Sequence, residues 1–195
     1  MTTARRRLWL LAGGNGAGKS TFYRTRLRSR DIAFINADLI ERTLEPGSTE
    51  VPSYAAAKLA RERFARWVTR GVSFCYETVF SHPSKLAMLV GAQEAGYHVT
   101  LVYIHLNDAA LNRLRVRQRV ESGGHPVPED KIVERIPRTL ALMRDAVRRA
   151  DTVLLFDNSD REDPFRLVAA KEGRHFTLNA DPLPAWASDM LFARA

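Results

Sequence analysis

An α/β fold, with a parallel sheet between two layers of helix, is what this chain of 195 residues predicts. Apolar runs of strand length recur along it and alternate with stretches of helical pattern. Those runs are apolar throughout instead of alternating with polar residues, as in strands covered on both faces. A glycine-rich run, GGNGAGKS, joins the first strand to the first helix. Strand–helix alternation of this kind implies right-handed crossovers.

The strands are expected at Leu8–Ala12, Ile32–Asn36, Val72–Tyr76, His98–Ile104 and Thr152–Phe156. The first helix should open near Lys19, inside the glycine run, and reach about Arg28. Tyr54–Arg70 sets Ala60, Phe64, Trp67 and Val68 on one stripe and stops at Gly71. Ser84–Ala95 follows Pro83 and ends before Gly96, and Asp108–Val120 follows, with Asn107 or Asp108 as its cap. Pro128 suits a first helical position, and Glu129 and Asp130 suit the positive end of the helix dipole. Pro137 is expected to kink or split the segment running on to Arg149. Near the end, Phe165–Ala170 and His175–Asn179 flank a four-residue turn, Lys171–Arg174, as a hairpin, and Pro184–Phe192 reads as a short helix.

A single domain over residues 1–195 is expected, with a lid at about 108–136 and the hairpin and helix at 164–195. The start, MTTARRRLWLLAGG, places three arginines before an apolar run. That run flows straight into the glycine motif, so it reads as a buried strand and not a targeting segment. No stretch approaches the roughly 18 apolar residues of a membrane span. With Cys75 the single cysteine, no disulfide can close within the chain, and a reducing, cytoplasmic home is expected. His82, His98, His105, His125 and His175 lack metal-ligand spacing, which argues against a zinc site. The net charge of +8 favours anionic partners, although an arginine-rich composition also solvates helix faces, so nucleic acid is not the expected partner.

The run Gly13-x₄-Gly18-Lys19-Ser20 fits the P-loop pattern without a mismatch and sits between a strand and a helix. The chemistry needs these residue types. Gly13, Gly16 and Gly18, with Asn15 and Ala17 between them, let backbone N–H groups point at phosphate oxygens. Lys19 supplies a compact charge, the Ser20 hydroxyl ligates Mg²⁺, and the helix opening through Thr21 turns its free N–H groups on the same anion. A three-layer P-loop NTPase fold binding ATP with Mg²⁺ follows. The Asn-Lys-x-Asp run of GTPases and the Ser-Gly-Gly-Gln signature of transporter ATPases are both absent from the sequence. A short chain with arginines downstream suits a small kinase.

In open α/β sheets, ligands sit outside the carboxyl ends of strands. There the chain carries Asn36-Ala37-Asp38, Glu77-Thr78 and Asp157-Asn158-Ser159. Phosphoryl transfer to a hydroxyl uses a carboxylate that takes its proton. Asp38 is the first choice for that base, although an aspartate there also suits a helix cap. Glu77 suits a substrate hydroxyl or a Mg²⁺-bound water, or a plain strand-end carboxylate. Asp157 looks most like a Walker-B acid by pattern. In the kinase arrangement, however, the third strand neighbours the P-loop strand, which favours Glu77. Asp157 and Asn158 then brace the P-loop or approach the nucleotide base. Arg113, Arg115, Arg117 and Arg119 precede a Gly123-Gly124 stretch and Arg135, the makings of a lid whose arginines offset phosphoryl charge. On a helix, Arg115 and Arg119 share one face and Arg113 and Arg117 another.

With these residues in place, the chain resembles the zeta-toxin family of P-loop kinases, in particular its short bacterial members. The runs that carry the resemblance are GGNGAGKSTF, FINADLI, YETVFS, GYHVTLVYIHL, RVRQRVESGGHPVPEDKIVER and LFDNS, in the family's order. The resemblance implies a five-stranded parallel sheet of order 2-3-1-4-5. It also implies ATP-dependent phosphorylation of a small-molecule hydroxyl, with UDP-activated amino sugars such as UDP-N-acetylglucosamine as acceptors. It puts the base on Asp38, the substrate-holding carboxylate on Glu77 with Thr78 beside it, and the phosphate-stabilising arginines on Arg119 and Arg135. An antitoxin protein is the partner it implies. Gly14 and Val79 depart from the family's proline and threonine, and Val79 lies on the acceptor side. A nucleoside or nucleic-acid kinase and a non-catalytic ATP-dependent switch are the alternative readings.

Overall fold

In the computed structural model, the described residues are 6–30, 32–44, 51–121 and 127–192. Seven strands form one sheet: β1 (Arg7–Gly13), β2 (Ala33–Ile35), β3 (Phe74–Thr78), β4 (His98–His105), β5 (Thr152–Asp157), β6 (Arg166–Glu172) and β7 (His175–Leu178). Their order is β2-β3-β1-β4-β5-β6-β7. The first five are parallel and stand in the order 2-3-1-4-5. The expected hairpin is present but is no appendage: β6 pairs antiparallel with β5, extending the sheet to seven strands. Without β6, β5 would offer a bare row of backbone groups at the edge. The hairpin turn is also shorter than expected, because the strands run up to Glu172 and resume at His175. Gly173 provides its left-handed residue at φ 59°.

The helices are α1 (Lys19–Phe22), α2 (Ala37–Glu41), α3 (Pro52–Arg70), α4 (Ser84–Glu94), α5 (Ala109–Glu121), α6 (Glu129–Arg149) and α7 (Ala185–Phe192). They explain the unbroken apolar strands. Leu8, Leu10 and Ala12 of β1 point into one core, shared with residues of α3, α4, α6 and α7. Leu11 points into a second, with Ala17 and Phe22 of the P-loop region, Val102, Ile104 and Leu106. Each face of the sheet therefore has its own apolar layer, and Cys75 is part of the second.

Three elements differ from expectation. The first helix does not run smoothly to Arg28: after Phe22 it widens into a π turn, Tyr23–Leu27, and then tightens to a 3-10 turn. The Thr25 hydroxyl donates to the Thr21 carbonyl at 2.9 Å, and Tyr23 stacks on Phe34 at 3.8 Å, so local side-chain bonds compete with regular winding. β3 lies two residues later than the apolar run suggested, because Glu77 and Thr78 are paired with Leu11 and Ala12 in the ladder. Finally, α6 passes through Pro137 as one helix. The ring leaves the carbonyl four residues back without its donor, at a cost of about 3 kcal/mol. Val133, which owns that carbonyl, is exposed. Burial of Ile132, Thr139, Met143, Ala146 and Val147 along the inner face carries the helix across the break.

Candidate active site

β1 delivers the chain to the carboxyl edge of the sheet and ends at Gly13. A Cβ there would lie 2.4 Å from the Ile104 carbonyl oxygen of β4, so only glycine lets the loop leave the sheet at this point. Gly18, at φ 96°, forms the N-terminal boundary of α1, and a Cβ on it would lie 2.6 Å from Asn158 Nδ2. Between them the loop wraps around the Lys19 ammonium, which donates to the carbonyls of Gly13 at 3.0 Å and Gly14 at 2.9 Å. Glu77 Oε1 stands 4.0 Å from the same nitrogen.

Glu77 is the hub of the buried half of the site. Its Oε2 accepts from the Ser20 hydroxyl at 2.8 Å and from Asn36 Nδ2 at 2.7 Å. Burial pulls the Lys19 pKa down despite attraction from Glu77 and Asp38, with Arg119 and Arg135 pushing the same way as burial. Burial likewise raises the Glu77 pKa, against the pull of Lys19 and the hydrogen bonds from Ser20 and Asn36. Both members of the pair therefore sit in a medium where an added anion or cation is felt strongly.

Asp38 belongs to the open half. The helix-cap role that an aspartate could fill is taken by Asn36, whose Oδ1 accepts from Leu39 N at 3.0 Å. Asp38 lies in the first turn of α2, half-exposed, and pairs with Arg119 Nη1 of α5 at 3.1 Å. Arg135 of α6 reaches Asn15 Oδ1 of the loop at 3.5 Å. On α5, Arg113 and Arg117 both pair with Glu129, while Arg119 pairs with Asp38. The Gly123–Pro126 stretch of the lid lies outside the described residues.

Asn158 braces the loop from the far side, donating to the Ala17 carbonyl at 2.9 Å and accepting from Phe165 N at 3.1 Å. Asp157 is buried and accepts from Ser159 N and Asn107 Nδ2. It lies on β5, with β4 between it and the P-loop strand, so the Walker-B-like pattern does not stand beside the loop, whereas Glu77 does. Next to Asn158, a cavity of about 140 Å³ is lined by Asn107, Asp157, Ser159, Asp160, Asp163 and Arg166. The Thr21 hydroxyl accepts from Arg24 Nη2 at 3.2 Å, and the Thr78 hydroxyl accepts from Phe80 N at 3.2 Å, holding the β3–α4 loop.

Sequence reasoning missed Asn36 and Asn112 as site residues. The signal for Asn36 was present: an asparagine directly after a strand and three residues before an exposed leucine is a cap. Asn112 is a polar residue one turn before Val116 on the buried face of α5, and both are buried. No group of three or more His, Cys, Asp or Glu residues among the described ones is placed to hold a metal. Mg²⁺ does not need one, since it takes one or two protein oxygens together with phosphate, and Ser20 Oγ and Glu77 are hard oxygen donors at the right end of the loop.

The family model for zeta toxin matches residues 2–164. An uncharacterised protein of Haemophilus influenzae is 30% identical over 133 residues, 65% of this chain and 94% of that protein. Among solved structures, the AvrRxo1-ORF1:-ORF2 complex with ATP matches at a TM-score of 0.73 and 15% identity, over 93% of this chain and 63% of the other. The PezAT chromosomal toxin–antitoxin system of Streptococcus pneumoniae matches at 0.64 and 17% identity, over 100% of this chain and 82% of the other. The chain thus spans less than two thirds of the AvrRxo1 chain, and at these identities the structural likenesses speak for the fold.

Proposed function

This chain belongs to the zeta toxin family, a family of P-loop kinase-type phosphotransferases, and we propose that it moves the γ-phosphate of ATP to a hydroxyl of a small molecule. The acceptor we favour is a UDP-activated sugar such as UDP-N-acetylglucosamine. The observation that carries the reading is a carboxylate, Asp38, held half-exposed by Arg119 across from the enclosed Lys19–Glu77 pair and the Ser20 hydroxyl bonded to it. One side suits a triphosphate and the other a hydroxyl that must lose its proton.

In this scheme the P-loop amides and Lys19 bind the β and γ phosphates, and Asn158 keeps the loop in shape. Ser20, with Glu77 behind it, would hold Mg²⁺, which would supply positive charge at the phosphate oxygens. Asp38 accepts the proton of the attacking hydroxyl, so the new P–O bond forms as the bond to the ADP oxygen breaks. Arg119 and Arg135 offset the charge spread over the transferring group. Glu77 and Thr78 form the acceptor side of the β3 edge, and the cavity beside Asn158 suits the nucleoside end of ATP. We further propose that residues 1–195 act as one domain, that the protein works in the cytoplasm, and that an antitoxin protein is its partner.

The test is incubation with γ-labelled ATP, Mg²⁺ and a panel of UDP-sugars, nucleosides and oligonucleotides, beside Asp38→Asn. A labelled UDP-sugar made only by the unmodified chain is the expected outcome. Label on an oligonucleotide in preference to sugars would move the reading to a nucleic-acid kinase, which the +8 charge would suit. Tight ATP binding with no labelled product would make it a switch.

A further inference from the structure

The lid helix α5 touches the nucleotide loop through one side chain that the kinase scheme leaves unused. Asn112 is 2% exposed, and its Nδ2 donates to the Asn15 carbonyl of the P-loop at 2.6 Å. Its Oδ1 is buried and unpartnered. The loop is shaped around it. A Cβ on Gly14 would stand 3.0 Å from Asn112 Nδ2, and one on Gly16 would stand 2.7 Å from the Asn112 backbone oxygen. Seven residues further along α5, on the same face, Arg119 holds Asp38. One rigid helix therefore grips the loop at one point and the carboxylate at another, about 10 Å apart along its axis.

We propose that Asn112 is a positioning residue that fixes the P-loop backbone at Asn15 to the lid, and that Gly14 is glycine to leave room for it. The inference rests on the kinase reading for its purpose, but not for its test. A buried amide that left only one of its two groups satisfied would be a poor choice for simple packing, where leucine would fill the space without a polar cost. The donated hydrogen bond is what the residue contributes. Because Arg135 holds the side chain of the same Asn15, both lid helices converge on that one loop residue.

The experiment is a double-mutant cycle read by fluorescent ATP-analogue titration, with thermal melts alongside. Asn112→Ala and Gly14→Ala should each weaken nucleotide binding by about tenfold, the effect of a lost or displaced buried hydrogen bond. The double variant should be no weaker than the single Asn112→Ala, because the added methyl then meets open space. Asn112→Asp keeps the size but cannot donate when ionised, and should match Asn112→Ala. In phosphotransfer, the change should appear in KM for ATP with kcat little altered. Additive losses in the double variant, or unchanged nucleotide affinity in Asn112→Asp, would overturn the proposal. If Asn112→Ala fails to fold, Gly14→Ala and Asn112→Asp decide it. Should the unmodified chain phosphorylate nothing, the kinase reading falls while the nucleotide titration still judges Asn112.

Discussion

The two halves of the site are built to different standards. On the donor side, Glu77 accepts from Ser20 and Asn36 at 2.8 and 2.7 Å, Lys19 donates to the Gly13 and Gly14 carbonyls at 3.0 and 2.9 Å, and the side chains of Lys19 and Glu77 are only 8% and 10% exposed. On the side the proposed scheme gives to the acceptor, Asp38 and Arg119 are 47% and 35% exposed and meet at 3.1 Å. Arg135 reaches the loop only at 3.5 Å. A triphosphate is the same in every turnover, so its cradle can be fixed in advance. In the proposed kinase scheme a hydroxyl acceptor enters and leaves past Asp38, and charges near solvent move at little cost.

The largest expected effect tests the fixed half. Lys19→Met should lower kcat/KM by about 10³-fold or more and weaken nucleotide binding, because it removes the buried charge that faces the phosphates and leaves Glu77 unpaired. Steady-state kinetics and nucleotide titration both report it. Asp38→Asn tests the open half and should divide the two readouts. We expect kcat to fall by about 10²–10³-fold while nucleotide affinity stays within about threefold. Equal loss of affinity would mean that Asp38 belongs to the donor side after all.

A smaller effect concerns the floor beneath the site. His105, at the end of β4, stacks on Trp186 at 4.3 Å and lies 3.2 Å from the Tyr103 hydroxyl. Burial lowers its pKa to about 4, with Asp157 pulling the other way. Between pH 6.5 and 4 the unfolded chain takes up a proton that the folded one refuses. Stability is therefore full above about pH 6.5, declines as pH falls through that window, and loses up to about 3 kcal/mol there. Denaturant melts across that range should show a shallower slope for His105→Gln. The smallest effect is that of Arg135→Ala, about tenfold in kcat, since its contact is long and partly solvated. A loss as large as that of Asp38→Asn would erase the contrast between the halves.

What could be read from the sequence follows from distance along the chain. Lys19 and Ser20 were legible because the eight consecutive residues Gly13–Ser20 define the loop. That Arg113 and Arg117 share a partner, Glu129, agrees with their spacing of one helical turn. Glu77 needed the strand order, which the kinase arrangement supplied, even though the apolar run misplaced β3 by two residues. Asn36 carried the local mark of a helix cap, but its bond to Glu77 spans 41 positions, and Asn112, whose partner Asn15 lies 97 positions away, had no local mark. The unbroken passage of α6 through Pro137 was hidden for a related reason: its compensation is tertiary burial, which propensity does not record.

Asn158 carries a consequence for how the chain is made. It steadies the Ala17 carbonyl from 141 residues downstream, by way of β5 and the turn that leads to Phe165. A polypeptide leaving the ribosome shows its glycine loop early but lacks this brace until most of its length is synthesised. The flanking strands of β1 also come later, β3 before β4. Phosphate-binding competence is thus acquired late in biosynthesis, and a nascent chain stopped before residue 158 would carry the whole motif with its loop unsupported.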